Sequence, residues 1–252
     1  MNKIIHYVWL GGQEKPSSVI SCINTWRRLC PDWKIIEWNE NNFPINDFRW
    51  VKEAILVKKY AFAADFIRLW ALYQYGGAYC DTDVTFVKSL NKVVKTGFVC
   101  SVENFLIGTE TLKYLCENGT DSRTGKSTNM FGIQAGCMYS DFQHPFIKQC
   151  IENIYDNGQR RFIKEDGSFE RIVIDGVMCA ELVKLGFKFK DTIQYLEPKI
   201  TIYDSSVFAT KRSKTENSVA IHWFDQSWKS NDSFKWKLKT FIKRKFYKII
   251  RR

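Results

Sequence analysis

One stretch constrains this chain more than any other. Residues 60–75 are rich in Ala, Leu and aromatic side chains and close on Gly76-Gly77. Ala78-Tyr79-Cys80 follows and leads straight into Asp81-Thr82-Asp83. The first run predicts a long, apolar helix ended by its glycines. The tripeptide predicts a short strand that stops in two carboxylates one residue apart. In open α/β sheets ligands collect outside the carboxyl ends of strands, and this acidic pair falls at such an end.

Earlier residues set the same alternation. Residues 3–10 (Lys-Ile-Ile-His-Tyr-Val-Trp-Leu) are β-branched and aromatic and end at Gly11-Gly12, as a buried strand does. Pro16-Ser17-Ser18 offers a helix start, with Val19, Ile23 and Trp26 on one face. Pro31-Asp32 breaks the chain, and residues 33–38 predict a second strand. Strand, helix and strand with short connections predict a parallel α/β unit. Further strands are expected over 98–102, 131–139 and 194–203, and further helices over 144–155 and 175–185. Residues 119–168 are less regular, and there is no internal repeat or low-complexity linker.

Charge excludes one class of function. The formal net charge is +11, but residues 235–252 hold nine Lys or Arg and no acid. The preceding residues carry 29 basic against 27 acidic side chains. A near-neutral body with a basic tail is not the footprint of a domain that tracks a phosphate backbone across its face. Phe234, Leu238, Phe241, Ile242 and Ile249 recur at helical spacing in that tail, so residues 234–252 predict a basic amphipathic helix suited to an anionic membrane surface. The eight cysteines are Cys22, Cys30, Cys80, Cys100, Cys116, Cys137, Cys150 and Cys179, with no C-x-x-C spacing. They predict free thiols in a reducing compartment. No run approaches a membrane span or a signal-peptide core. The expectation is a cytoplasmic protein, peripheral on the cytoplasmic face of the inner membrane.

Two carboxylates at a strand end suit a hard cation such as Mg²⁺ or Mn²⁺. Such an ion bridges phosphates and neutralises the charge that grows on a departing nucleoside diphosphate. Alone, D-x-D is common in surface turns. The preceding helix adds Asp65 and Arg68, three residues apart on one face and flanked by Phe62, Phe66, Leu69 and Trp70. A charged pair in so apolar a setting is partly buried, and buried charges need a partner.

Ala64-Asp65-Phe66-Ile67-Arg68 followed by Tyr75-Gly76-Gly77-Ala78-Tyr79-Cys80-Asp81-Thr82-Asp83 resembles the donor-site signature of glycosyltransferase family 32. That family includes sugar transferases of capsule and O-antigen assembly and yeast initiating mannosyltransferases, and its site is similar to that of the glucosylating clostridial toxins. Residues 3–11 resemble the family's opening strand. Trp26 with Pro31-Asp32-Trp33, then His144-Pro145-Phe146, resemble later segments. Ile221-His222-Trp223 with Ser227-Trp228 resembles its closing element.

The resemblance implies a GT-A fold, a Rossmann-like nucleotide-sugar-binding domain. It would cover residues 1–228, with a donor half over about 1–105, a variable acceptor half over about 106–228 and the basic tail at 229–252. It also implies a retaining, metal-dependent transfer of a hexose or N-acetylhexosamine from a nucleotide sugar, UDP-sugar preferred. The acceptor would be a saccharide, expected to be lipid-linked, in bacterial surface polysaccharide (O-antigen or capsule) synthesis. By residue, Trp9 would stack on the base with Val8 beside it, and Asp65 and Arg68 would hold donor sugar and diphosphate. Gly77, Tyr79, Asp81 and Thr82 belong to the donor signature. Asp83 would ligate the metal directly, and Asp81 would act on metal and ribose or sugar. His222 and Ser227 would close over metal and phosphate, and Trp228 would cap the leaving group.

No second carboxylate is positioned by sequence as a glycosyl nucleophile. Glu103 and Asp175 follow apolar stretches, which assigns them no role. Two other classes fit parts of the chain. Asp81-Thr82-Asp83-Val84-Thr85 matches the D-x-D-x-[TV] pattern of haloacid-dehalogenase-type phosphatases, although 80 residues precede it and no Gly-Asp or Asp-Asp pair follows. A nucleic-acid-binding protein would use the basic tail and aromatics and leave both aspartates unexplained.

Overall fold

A computed structural model of the chain describes residues 1–128 and 130–224. Its centre is a sheet that starts from β1 (Ile4–Val8), β2 (Lys34–Trp38) and β3 (Gly77–Cys80). The intervening helices are α1 (Ser17–Leu29), α2 (Arg49–Leu56) and α3 (Tyr60–Tyr75). After β4 (Val84–Phe86) come β5 (Phe98–Asn104), β6 (Phe131–Ile133) and β7 (Cys137–Ser140). Then follow α4 (Pro145–Tyr155), α5 (Ile174–Lys184), β8 (Gln194–Leu196), β9 (Ile200–Tyr203), β10 (Phe208–Thr210) and β11 (Ala220–His222).

The strand order is β2-β1-β3-β7-β5-β9-β8, with β6 on the outer part of β5. β1 pairs in parallel with both β2 and β3, as does β5 with β9, while β7 is antiparallel to β3 and β5. β1, β2, β3, β5 and β9 therefore run the same way, and their carboxyl ends form one ledge. A separate three-stranded sheet, β10-β11-β4, packs beside it.

Alternation along the strands sends side chains to two cores. Tyr79, Met138, Phe98 and Cys100 face a core shared with α2, α3, α4 and α5. Ala78, Cys80, Cys137, Tyr139 and Val99 face the opposite core, shared with α1 and the small sheet. Trp26 is fully buried there and donates from Nε1 to the Val84 carbonyl, tying α1 to β4. On the other side, His6 Nδ1 accepts from Trp38 Nε1 at 3.1 Å, so Nε2 carries the proton and donates to the Gly76 carbonyl at 2.8 Å. One neutral imidazole joins β1, β2 and the end of α3.

The helix over 60–75 and the first three strands stand where the sequence predicts them. Two expected strands are each divided. Residues 131–139 become β6 and β7 because residues 134–136 leave the ladder and spend their backbone groups on other partners. Residues 194–203 fold back as the antiparallel pair β8 and β9. Neither α2 nor the small sheet is among the predicted elements. His144 stands just before α4 and caps it, its Nδ1 accepting from the Phe146 amide. None of the eight cysteines is in a disulfide, and Cys116 alone is not buried. Among the described residues no helix is long and apolar enough to cross a membrane.

Candidate active site

Asp81 leaves the ledge at the end of β3, and its amide donates to the Gly136 carbonyl at 2.8 Å. Three residues on, β4 begins, and β11 runs antiparallel to it with His222 opposite Val84. The Trp223 amide donates to the Asp83 carbonyl at 3.1 Å and fixes that register. A histidine far along the sequence thereby meets the acidic pair. His222 Nε2 lies 3.1 Å from Asp83 Oδ1 and 3.9 Å from Asp81 Oδ2. One ligand atom from each of Asp81, Asp83 and His222 falls within 4.8 Å of the others.

Behind this cluster stands Arg68. Its Nη2 bonds Asp65 Oδ1 at 2.6 Å and lies 3.4 Å from Asp81 Oδ1, while Nη1 donates to the Ala135 carbonyl at 2.8 Å. The guanidinium stacks 4.7 Å from the Tyr79 ring centroid, and the Tyr79 hydroxyl donates to Asp81 Oδ1 at 2.8 Å. Asp65 and Arg68 thus form the expected ion pair. It is mostly buried and reaches the D-x-D carboxylate through the same cation.

Residues 134–136, which no local sequence pattern marks as part of a site, frame it. Gln134 donates from its amide to the Ser101 carbonyl and from Nε2 to the Phe208 carbonyl. The Ala135 peptide is held on both sides, its carbonyl by Arg68 and its amide by Asp175 Oδ1 at 3.2 Å. At Gly136 a Cβ would lie 2.7 Å from His222 Cε1 and Nδ1 and 3.0 Å from Asp81 Oδ2. Only glycine lets the imidazole and the carboxylate approach so closely. The one available signal was a glycine inside an apolar strand pattern, which marks close approach of other groups.

The electrostatics follow from burial among acids. Burial pushes Asp65 up to about 7 against the pull of Arg68, with Asp175 and Asp81 adding to the rise. Burial, then the charge of Asp175, pushes Glu103 up to about 8, while His222 draws it down. Asp175 is raised by burial against the pull of Arg68. Burial alone would lower His222, but its bond to Asp83 and the charges of Asp83, Asp81 and Glu103 outweigh that and raise it. Glu103 and Asp175 therefore belong to the same field as the D-x-D cluster.

Other expected residues fall in different places. Trp9 stands on the ledge just past β1, half-buried, its Nε1 donating to the Gln13 carbonyl and Lys15 Nζ 5.8 Å from its ring centroid. Val8 is buried at the end of β1. Gly77 lies at the opposite end of β3 from Asp81, where a Cβ would meet the Ile4 carbonyl oxygen at 2.5 Å. Its glycine serves the contact between β1 and β3, and the structure does not bring it to the cluster. Tyr79 faces the core and touches the cluster only through its hydroxyl. Thr82 is half-buried between the two aspartates. Ser227, Trp228 and the tail over 234–252 lie outside the described residues.

The donor set of two carboxylates and one imidazole fits a hard divalent cation. A buried His222 Nδ1 without a partner and the space kept clear at Gly136 fit it as well. Residues 16–98 match the family model described as glycosyltransferase sugar-binding region containing DXD motif. Residues 16–98 thus carry the sugar-binding region of that glycosyltransferase family. In that family the D-x-D motif implies a divalent metal and a nucleotide-sugar donor.

An inositol phosphoceramide mannosyltransferase 3 of Schizosaccharomyces pombe is 26% identical over 156 residues, 60% of this chain and 36% of that protein. The chain thus spans about a third of the length of that curated relative. Mouse xyloside xylosyltransferase 1, in its apo form, shares the fold at a TM-score of 0.50 and 10% identity, covering 89% of this chain and 98% of that one. The galactosyltransferase LgtC, solved with donor and acceptor sugar analogs, superposes at a TM-score of 0.49 and 12% identity over 95% of this chain and 94% of its own. The fold is GT-A.

Proposed function

We propose that this chain is a retaining, metal-dependent glycosyltransferase that moves a hexose or N-acetylhexosamine from a nucleotide sugar to a saccharide acceptor. The observation that carries this is the convergence of Asp81, Asp83 and His222 on the sheet ledge, with Arg68 buried behind them. Mn²⁺ or Mg²⁺ would be held by those three side chains and would supply positive charge to a departing nucleoside diphosphate. Trp9, across the ledge from the cluster's far side, offers its ring to the base, and UDP is the preferred nucleotide. Asp65 and Arg68 hold the donor sugar and the diphosphate. Ser227 would act on the metal and phosphate, and Trp228 on the leaving group.

Arg68 adds a fixed charge that needs no rearrangement as negative charge develops, because Asp65, the Ala135 carbonyl and the Tyr79 ring already hold it. No side chain is assigned as a glycosyl nucleophile. The acceptor hydroxyl enters on the face that the diphosphate leaves, and a departing phosphate oxygen takes its proton. Residues 1–105 then serve the donor and residues 106–228 the acceptor. A lipid-linked acceptor of bacterial surface polysaccharide (O-antigen or capsule) fits the basic tail, which would hold the enzyme on the anionic inner leaflet as a cytoplasmic, peripheral protein. The yeast relative is named for mannosyl transfer, which supports a second reading, GDP-mannose in place of a UDP-sugar.

Release of nucleoside diphosphate from UDP-glucose, UDP-galactose, UDP-N-acetylglucosamine and GDP-mannose, with and without Mn²⁺, tests both. Release from one donor, dependent on metal, is the expected result and names the base. No release from any donor, with phosphate freed from p-nitrophenyl phosphate instead, would overturn the proposal.

A further inference from the structure

The ledge extends past the metal-binding cluster on the side away from Trp9. β1 neighbours β3, whereas β5 lies two strands beyond β3, about 10 Å at ordinary strand spacing. Glu103 and Phe105 stand at the end of β5, two residues apart and so on one side of the strand. Phe105 lies beside Phe224, ring centroids 5.4 Å apart at 64°. Phe224 in turn stacks on His222, centroids 3.8 Å apart at 28°. Glu103 shares the field of His222 and Asp81. One wall therefore runs from the ligand histidine through two half-buried aromatic rings, with a carboxyl group at its edge.

The backbone at Phe224 marks this wall further. Its φ is 53°, in the left-handed region that an aromatic residue rarely adopts. Such conformations persist where surrounding contacts hold them, and they concentrate at functional sites. Here the conformation lays the ring flat on His222 and leaves its edge to Phe105. The Phe105 backbone is fixed too, its amide on the Met130 carbonyl at 2.9 Å and its carbonyl accepting from Arg212 Nη1 at 3.3 Å.

We propose that Phe105 and Phe224 are the platform of the acceptor subsite, that Glu103 orients the acceptor hydroxyls, and that the subsite takes a pyranose ring. The axial C–H face of a pyranose is apolar and its rim is polar, which matches two aromatic faces beside one carboxyl group. The placement puts the acceptor across the D-x-D cluster from the base, next to the sugar end of the donor. It rests on the glycosyltransferase reading above and adds to it the class of acceptor and the residues that select it.

The test uses the full chain with Mn²⁺ and whichever donor it hydrolyses, with methyl and p-nitrophenyl pyranosides of glucose, galactose and N-acetylglucosamine as probes. At least one pyranoside is expected to be glycosylated, seen by mass spectrometry. In Phe105→Ala its KM rises about tenfold relative to the KM for the donor, and Phe105→Trp restores it. Glu103→Gln lowers the ratio of transfer to donor hydrolysis by a similar factor. Donor hydrolysis by the wild type without transfer to any pyranoside, or an unchanged KM ratio in Phe105→Ala, overturns the acceptor assignment and leaves the glycosyltransferase reading standing. Absence of donor hydrolysis in the wild type overturns both.

Discussion

The two sides of the D-x-D loop are built in different ways. On one side, Asp65, Arg68, Tyr79 and Asp81 come from a single helix and the strand that follows it. On the other, His222, Gly136 and Asp175 come from β11, from the break between β6 and β7, and from the start of α5. The first side is covalently local and cemented into the larger core, with Arg68 as its common fastener. The second is assembled by strand register and by backbone hydrogen bonds to residues 134–136. Damage to the first should reach stability and activity together, and damage to the second mainly activity.

Arg68→Ala gives the largest effect. It strips the cation from Asp65 and leaves that carboxylate buried among other acids, at a cost of about 3–5 kcal/mol in unfolding free energy. Urea denaturation measures it, and a loss below about 1 kcal/mol would erase the contrast between the two sides.

His6 sharpens the same contrast through pH. Burial lowers its pKa from 6.5 to about 4, partly opposed by its bond to the Gly76 carbonyl. Between those values the unfolded chain takes up a proton that the folded chain refuses, so stability falls as pH drops from 6.5 towards 4. The fall is about 1.4 kcal/mol per pH unit, about 3 kcal/mol over the window. His6→Gln, which keeps a donor and an acceptor, should flatten that slope in denaturation curves taken at pH 7, 6, 5 and 4. Parallel slopes in the two proteins would show that the imidazole is not held neutral.

Gly136→Ala probes the assembled side and has the smallest effect on the fold. The added methyl pushes against His222 and Asp81, so donor turnover should fall about tenfold while stability drops by about 1–2 kcal/mol. A protein that lost stability as Arg68→Ala does, yet kept full turnover per folded molecule, would reverse the comparison.

Legibility in the sequence follows the same division. Residues 60–83 show their helix, strand and acids openly because helical spacing and strand alternation are local properties, and Asp65 and Arg68 pair as three-residue spacing requires. His222 was named through a resemblance; its meeting with Asp83 depends on β11 pairing with β4, which no local pattern encodes. Gly136 was hidden inside an apolar run that reads as one continuous strand. The break there exists because the Ala135 carbonyl and amide are taken by Arg68 and Asp175, partners 67 and 40 residues away. Gly77 shows the converse, a glycine inside a motif whose place in the structure is explained by the Ile4 backbone.

The central claim is that Asp83 helps to hold a cation under a nucleoside diphosphate. Thermal unfolding of wild type and Asp83→Ala with UDP or GDP, each with and without Mn²⁺, tests it most directly. The account predicts stabilisation of the wild type by one nucleotide only when Mn²⁺ is present, and loss of that shift in Asp83→Ala. An equal, metal-dependent shift in both proteins would contradict it.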